Sequence, residues 1–208
     1  MRSTREVVTT ITLRRLVTNA VLIAFALAPA GCRMGHAPQT TPRPTGPLPT
    51  GVSHDDYEYL RRRALLIPVA NIPLSRIPDT YNDARDGKRV HRAVDILAPK
   101  GTPVLSTDVG YILKLRMGGS GGITIYAVDP DDRFVYYYAH LDRYRKGLME
   151  GQRLQKGDTI GYVGTSGNAP RDTPHLHFQV TRMPQNQHWW EGVPVDPRPL
   201  FSPETIVR

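Results

Sequence analysis

The chain has 208 residues, enough for one well-buried domain with appendages and too few for two large ones. Its 18 glycines and 19 prolines, with 22% charged residues, favour strands and turns and exclude an all-helical bundle. The formal net charge is +8; residues 1–31 hold four arginines and one glutamate of it, leaving +5 for the rest. Such a surface suits a polyanion, but no zinc-finger, basic-zipper or helix-turn-helix pattern is present, and nucleic acid is not expected as a partner.

Residues 1–31 read as an export signal. Arg14 and Arg15 close a positively charged start, residues 16–28 form an apolar run too short for a comfortable membrane span, and Ala30 and Gly31 are small. Cys32, the one cysteine, follows directly, so no intrachain disulfide forms. This arrangement resembles a bacterial lipoprotein signal and departs from it at Pro29, where such signals usually carry an aliphatic residue. The resemblance implies cleavage before Cys32, lipidation of its thiol and a membrane-anchored protein of the cell envelope. A plain secretory signal cleaved nearby is the alternative, and both readings export the chain. Arg33 after the cysteine resembles outer-membrane sorting, which implies the periplasmic face of that membrane in a cell that has one.

Residues 32–53 carry Pro38, Pro42, Pro44, Pro47 and Pro49 among Thr and Gly, a composition that buries no core and reads as an extended tether. At about 3.1 Å per residue it reaches on the order of 60 Å. Ser53 is placed to cap a short helix over 55–63, within a helical segment 54–66. Acidic residues in its first turn and Arg61, Arg62 and Arg63 in its last suit the helix macrodipole. Residues 67–208 form the domain proper. They hold short β-branched and aromatic runs punctuated by Gly, Pro and Asp, which predict an all-β fold with strands over 90–97, 109–116, 123–128, 134–140, 159–163 and 176–181. The GGSGG run of 118–122 lacks the Lys-Ser/Thr pair and following helix of a phosphate loop and reads as a hairpin tip.

Four histidines fall in the β region with suggestive spacing. His91 and Asp95 are four apart in an expected strand, and His175 and His177 are two apart in another; both spacings put side chains on one strand face. His140 ends the run containing Tyr136, Tyr137 and Tyr138, whose faces alternate. Nitrogen and carboxylate donors of this kind suit Zn²⁺, and a catalytic zinc takes three protein ligands while keeping one position open. Trp189, Trp190 and Tyr81 are candidates either for a groove wall or for covering the core edge. His36 and His54, in or beside the tether, are expected to be solvated, and His188 lies outside every motif.

Over residues 67–200 the sequence resembles the lysostaphin-type (LytM-domain) zinc endopeptidases, which cut the peptide part of peptidoglycan. The resemblance is carried by His91 and Asp95 followed by DILAPKGTPV, then GYI, YYYAHL, KGDTIGYVGTSGN, PHLHFQV and VDPRPLF. It implies a mostly β fold, a compact open barrel or sandwich of short antiparallel strands with a short N-terminal helix. It also implies zinc ligands at His91, Asp95 and His177, non-ligand catalytic histidines at His140 and His175, and peptidoglycan as substrate. Three departures touch the site region: Ala93 where the family usually has Gly, residues 171–173 where a short Gly/Thr turn is common, and Gln179 for a frequent Glu. None removes a ligand. The expected function is hydrolysis of peptide bonds in stem peptides or cross-links during cell-wall remodelling. The competing readings are a LytM-like regulator that activates another wall hydrolase, and a biotinyl/lipoyl-type carrier suggested by GQRLQKGDTIGYVG. The carrier reading lacks the lysine in a tight hairpin and leaves the histidines unexplained.

Overall fold

The computed structural model describes residues 48–203 except Asp86, Lys88 and Gln187. The export signal, Cys32, His36 and most of the tether lie outside the described residues, among which no helix is long and apolar enough to cross a membrane.

Helix α1 (His54–Arg63) starts one residue before expectation. Ser53 and Asp56 form a reciprocal capping box: the Asp56 amide donates to Ser53 Oγ at 3.0 Å and the Ser53 amide to Asp56 Oδ2 at 3.1 Å. The helix stops at Ala64, which takes the left-handed conformation at φ 46°. It buries Tyr57 and Leu60 against the sheet.

A two-stranded ribbon of β1 (Ala84–Arg85) and β2 (Arg89–Val90) precedes a nine-stranded sheet. The sheet comprises β3 (Val94–Leu97), β4 (Pro103–Leu105), β5 (Gly110–Met117), β6 (Ile123–Val128), β7 (Phe134–Tyr144), β8 (Arg153–Leu154), β9 (Thr159–Val163), β10 (His175–Arg182) and β11 (Val193–Val195). Its main path runs β11-β10-β7-β6-β5-β8, with β3 added to β10, β9 to β7 and β4 to β9, every pairing antiparallel. The expected mostly β architecture with one short helix is the one observed. Alternation along β7 turns Phe134, Tyr136 and Tyr138 into the core, where they meet Phe178 and Val180 of β10 and Ile112 of β5. Each such side chain contributes about 1.5–3 kcal/mol on burial.

Two features of the strands position the site. First, β7 changes partner along its length. Residues up to Ala139 pair with β10, and those from Leu141 pair with β9. His140 sits at the fork with φ 60°. Gly164 closes the fork by bridging to His175, and no larger residue fits there, because a Cβ would lie 2.3 Å from the Asp142 amide nitrogen.

Second, the continuous strand expected over 90–97 is broken. The chain leaves β2 at Val90, turns through Arg92 at φ 57° and re-enters the sheet as β3. Tertiary hydrogen bonds override the local β-propensity: the His91 amide donates to Asp83 O at 2.9 Å, the Arg92 amide to Tyr81 O at 2.8 Å, and Gln179 Nε2 to Arg92 O at 3.0 Å. His91 and Asp95 therefore do not share one strand face as expected, and their side chains meet by another route.

Candidate metal centre

Asp95 on β3 and His177 on β10 are direct cross-strand partners, so the ladder itself brings a carboxylate beside an imidazole. His91 arrives from the end of the ribbon, across the turn at Arg92. Three donor atoms meet: His91 Nε2 lies 3.0 Å from His177 Nδ1 and 3.1 Å from Asp95 Oδ1, and His177 Nδ1 lies 3.0 Å from Asp95 Oδ1. Atoms bound at about 2.0–2.1 Å to a tetrahedral metal stand about 3.3 Å apart, so this triangle needs only a slight expansion to hold one. Two imidazole nitrogens and one carboxylate oxygen are also the right chemistry for Zn²⁺ and leave a fourth position open.

Backbone groups set the orientation of each ring. His91 Nδ1 bonds Thr80 O at 2.9 Å, which turns Nε2 toward the donor set. The Thr80 hydroxyl oxygen accepts from the Asp95 amide at 3.2 Å. Asp95 divides its oxygens, Oδ1 in the triangle and Oδ2 hydrogen-bonded by Arg85 Nη2. Burial alone raises the Asp95 pKa, but the hydrogen bonds from His177 and His91 outweigh it and hold the carboxyl well below the usual range. Burial drives the His177 imidazole down, against the pull of Asp95, and so favours the neutral ring that a metal requires.

His175 and His140 stand beside the triangle. Their rings approach edge to face with centroids 5.0 Å apart, and His140 is 5.7 Å from the His177 ring. His175 Nδ1 bonds Thr173 O at 2.8 Å and His140 Nδ1 bonds Ser166 O at 2.9 Å, so each ring keeps Nε2 free of its backbone partner. His175 Nε2 lies 3.9 Å from Asp95 Oδ1. Burial, opposed by the Ser166 carbonyl, pushes His140 down to about 4 and keeps it neutral at physiological pH.

All five residues line one open groove of about 630 Å³. One wall is the ribbon with Arg85 and Arg89; the other is the β5–β6 turn with Ser120 and Gly121, together with Asn168. The GGSGG hairpin is thus more than a tip. Gly121 O accepts the His140 amide at 2.9 Å, and a Cβ on Gly121 would lie 2.2 Å from the Tyr137 hydroxyl. Tyr137, outward-facing on β7, stands edge-on to His177 at 6.0 Å.

The other candidates lie elsewhere. Tyr81 is 5% exposed and bonds Pro194 O at 2.9 Å, Trp189 packs on Tyr126 at 4.3 Å, and Trp190 is 62% exposed and stacks on His188. None of them lines the groove, and His54 is exposed at the start of α1. Sequence reasoning missed Thr80, Arg85 and Ser166. Ser166 stands inside the KGDTIGYVGTSGN run, whereas nothing in the local pattern marks Thr80 or Arg85.

Known proteins are similar to this chain over part of its length. An L-Ala--D-Glu endopeptidase of Bacillus subtilis is 36% identical over 117 residues, 53% of this chain and 36% of that protein. The peptidoglycan DD-endopeptidase ShyC of Vibrio cholerae is 31% identical over 135 residues, 62% of this chain and 30% of that protein. The chain thus spans about a third of the length of these relatives. Among solved structures, LytU superposes with a TM-score of 0.51 at 27% identity, over 60% of this chain and 82% of that one. A zinc-containing peptidase from Vibrio cholerae superposes with a TM-score of 0.50 at 24% identity, over 70% and 41%, a likeness of fold. Residues 89–197, which hold the donor triangle and both flanking histidines, match Peptidase family M23, and the chain belongs to that family.

Proposed function

We propose that this chain is a zinc-dependent endopeptidase that hydrolyses peptide bonds in peptidoglycan stem peptides or cross-links. The observation that carries the proposal is the triangle of His91, Asp95 and His177 with His140 and His175 beside it in one open groove. The relatives named as peptidoglycan endopeptidases support the substrate class. His91 Nε2, Asp95 Oδ1 and His177 Nδ1 would hold the metal. A bound zinc ion supplies Lewis-acid activation of water and of the scissile carbonyl.

The remaining steps belong to side chains. His140 and His175 present Nε2 as acceptors; His175, nearer Asp95, takes the proton of the attacking water, and the pair returns it to the leaving amine. Between those two transfers the protonated ring faces the developing oxyanion and stabilises it. The groove is open at the surface, as an extended peptide requires. Export and anchoring through a lipid on Cys32 are part of the same proposal, supported by the sequence of residues 1–33.

The test is mass-spectrometric profiling of purified peptidoglycan after incubation with the zinc-loaded full chain, with and without chelator. New peptide ends that vanish with chelator identify the hydrolase and the bond. An unchanged profile from folded, zinc-loaded protein overturns autonomous activity.

A further inference from the structure

The two oxygens of Asp95 have different surroundings. Oδ1 lies in the donor triangle, 3.1 Å from His91 Nε2 and 3.0 Å from His177 Nδ1, while Oδ2 accepts from Arg85 Nη2. Arg85 is held in place by the ribbon, where it pairs across the strands with Arg89. The next bond along the ribbon, from the His91 amide to Asp83 O, ties the ribbon to the site.

A carboxylate with both oxygens free binds a cation through one or through both. Two-oxygen binding by Asp95 would add a fourth protein donor to the three atoms of the triangle, so that a bound water would complete five positions rather than the four of a tetrahedral catalytic site. A guanidinium hydrogen bond on Oδ2 occupies one of that oxygen's two lone pairs, sets a positive charge against it and fixes the rotation of the carboxylate. We propose that Arg85 is a positioning residue that makes Asp95 a one-oxygen ligand and so keeps the site, with its water, at four donors. The inference rests on the zinc reading of the site. Arg85 Nη2 also lies 3.0 Å from His91 Nε2, and a bound cation takes that lone pair, leaving Asp95 Oδ2 as the guanidinium's partner.

The experiment replaces zinc by Co²⁺ in the full chain, because the visible absorption of cobalt is intense in four-coordinate sites and clearly weaker in five-coordinate ones. Wild type is expected to give the intense band. Arg85→Met is expected to bind cobalt one to one with the weaker band, and to lose about tenfold or more in kcat with KM little changed. Arg85→Lys, which keeps a cationic donor, is expected to recover the intense band, a rescue that a merely structural role would not give. Arg85→Ala is the second variant should the methionine variant fold poorly. An Arg85→Met spectrum identical to wild type overturns the proposal, as does loss of cobalt from a folded variant. Wild-type protein that takes up no cobalt or zinc would instead bring down the zinc reading itself.

Discussion

His140 is held in the left-handed region at φ 60°, a conformation that costs a residue with a Cβ about 1–2 kcal/mol. Two bonds over-determine it: its amide donates to Gly121 O and its ring to Ser166 O, both at 2.9 Å. The strained backbone aims the ring into the groove beside the donor set without joining it. His140→Ala is therefore expected to lower kcat by about 10²–10⁴ while retaining one zinc per chain, whereas His177→Ala is expected to lose the metal. Zinc content by atomic absorption alongside peptide release separates the two, and metal loss from the His140 variant would contradict the assignment. His175 and His177 were legible because H-x-H in a strand shares a face whatever the partner. His91 with Asp95 was legible only as a pair, since the turn at Arg92 that joins them is held by Gln179 from β10. Gln179 donates an amide hydrogen there, which the Glu common at this position would not do when ionised.

Among the elements, α1 is fastened to the sheet in part through the Asp56 carboxylate. Asp56 Oδ1 accepts from Arg133 Nη2 at 2.6 Å and Arg182 Nε at 2.8 Å, while Oδ2 completes the cap with Ser53. Burial alone raises the Asp56 pKa, but the bonds from Arg133 and Ser53 outweigh it and bring it down to about 2 from an ordinary value of 3.8. A pKa lower in the folded chain than in the unfolded one stabilises fully above about pH 4, and the contribution is lost as the pH falls through 2. Asp56→Asn is expected to cost about 2 kcal/mol at pH 7, with the gap to wild type closing between about pH 4 and pH 2. Urea unfolding across that range measures it, and a gap independent of pH would refute the clamp. The elements most legible in the sequence were those whose pattern is local. The strands over 123–128 and 159–163 have the expected bounds, because β-branched runs between glycines and aspartates need no distant partner to declare themselves. The two-residue strands β1, β2 and β8 carry no such pattern; their pairing depends on residues brought alongside by the turns. The extension of β7 to Tyr144 was hidden for the same reason, since it depends on β9 taking over from β10 at the fork.

At the scale of the whole molecule, the metal site lies at the edge of the architecture. The core joins α1 to the sheet through Tyr57, Leu60, Tyr136, Tyr138 and Phe178 and includes none of the five site residues. Asp95 and His177 are already aligned by the β3–β10 ladder, so the carboxylate and one imidazole meet without help from a cation. A small zinc-dependent domain with no core unfolds when stripped of metal, whereas this chain is expected to stay folded. Binding to the native state alone adds about 2.7 kcal/mol at a free zinc concentration of 100 Kd. For a domain of this size, that corresponds to about 5–10 °C in Tm. Chelation is accordingly expected to lower Tm by that amount with the β signature in circular dichroism intact. The local loss should fall where the metal joins segments that the ladder does not. His91 reaches the site through a ribbon of two residue pairs and the amide bonds at Asp83 and Tyr81. Its amide and that of Arg92 should exchange faster on chelation, while those of β7 and β10 should not. Cooperative unfolding at 25 °C on chelation would place the metal among the supports of the fold and overturn this division between core and site.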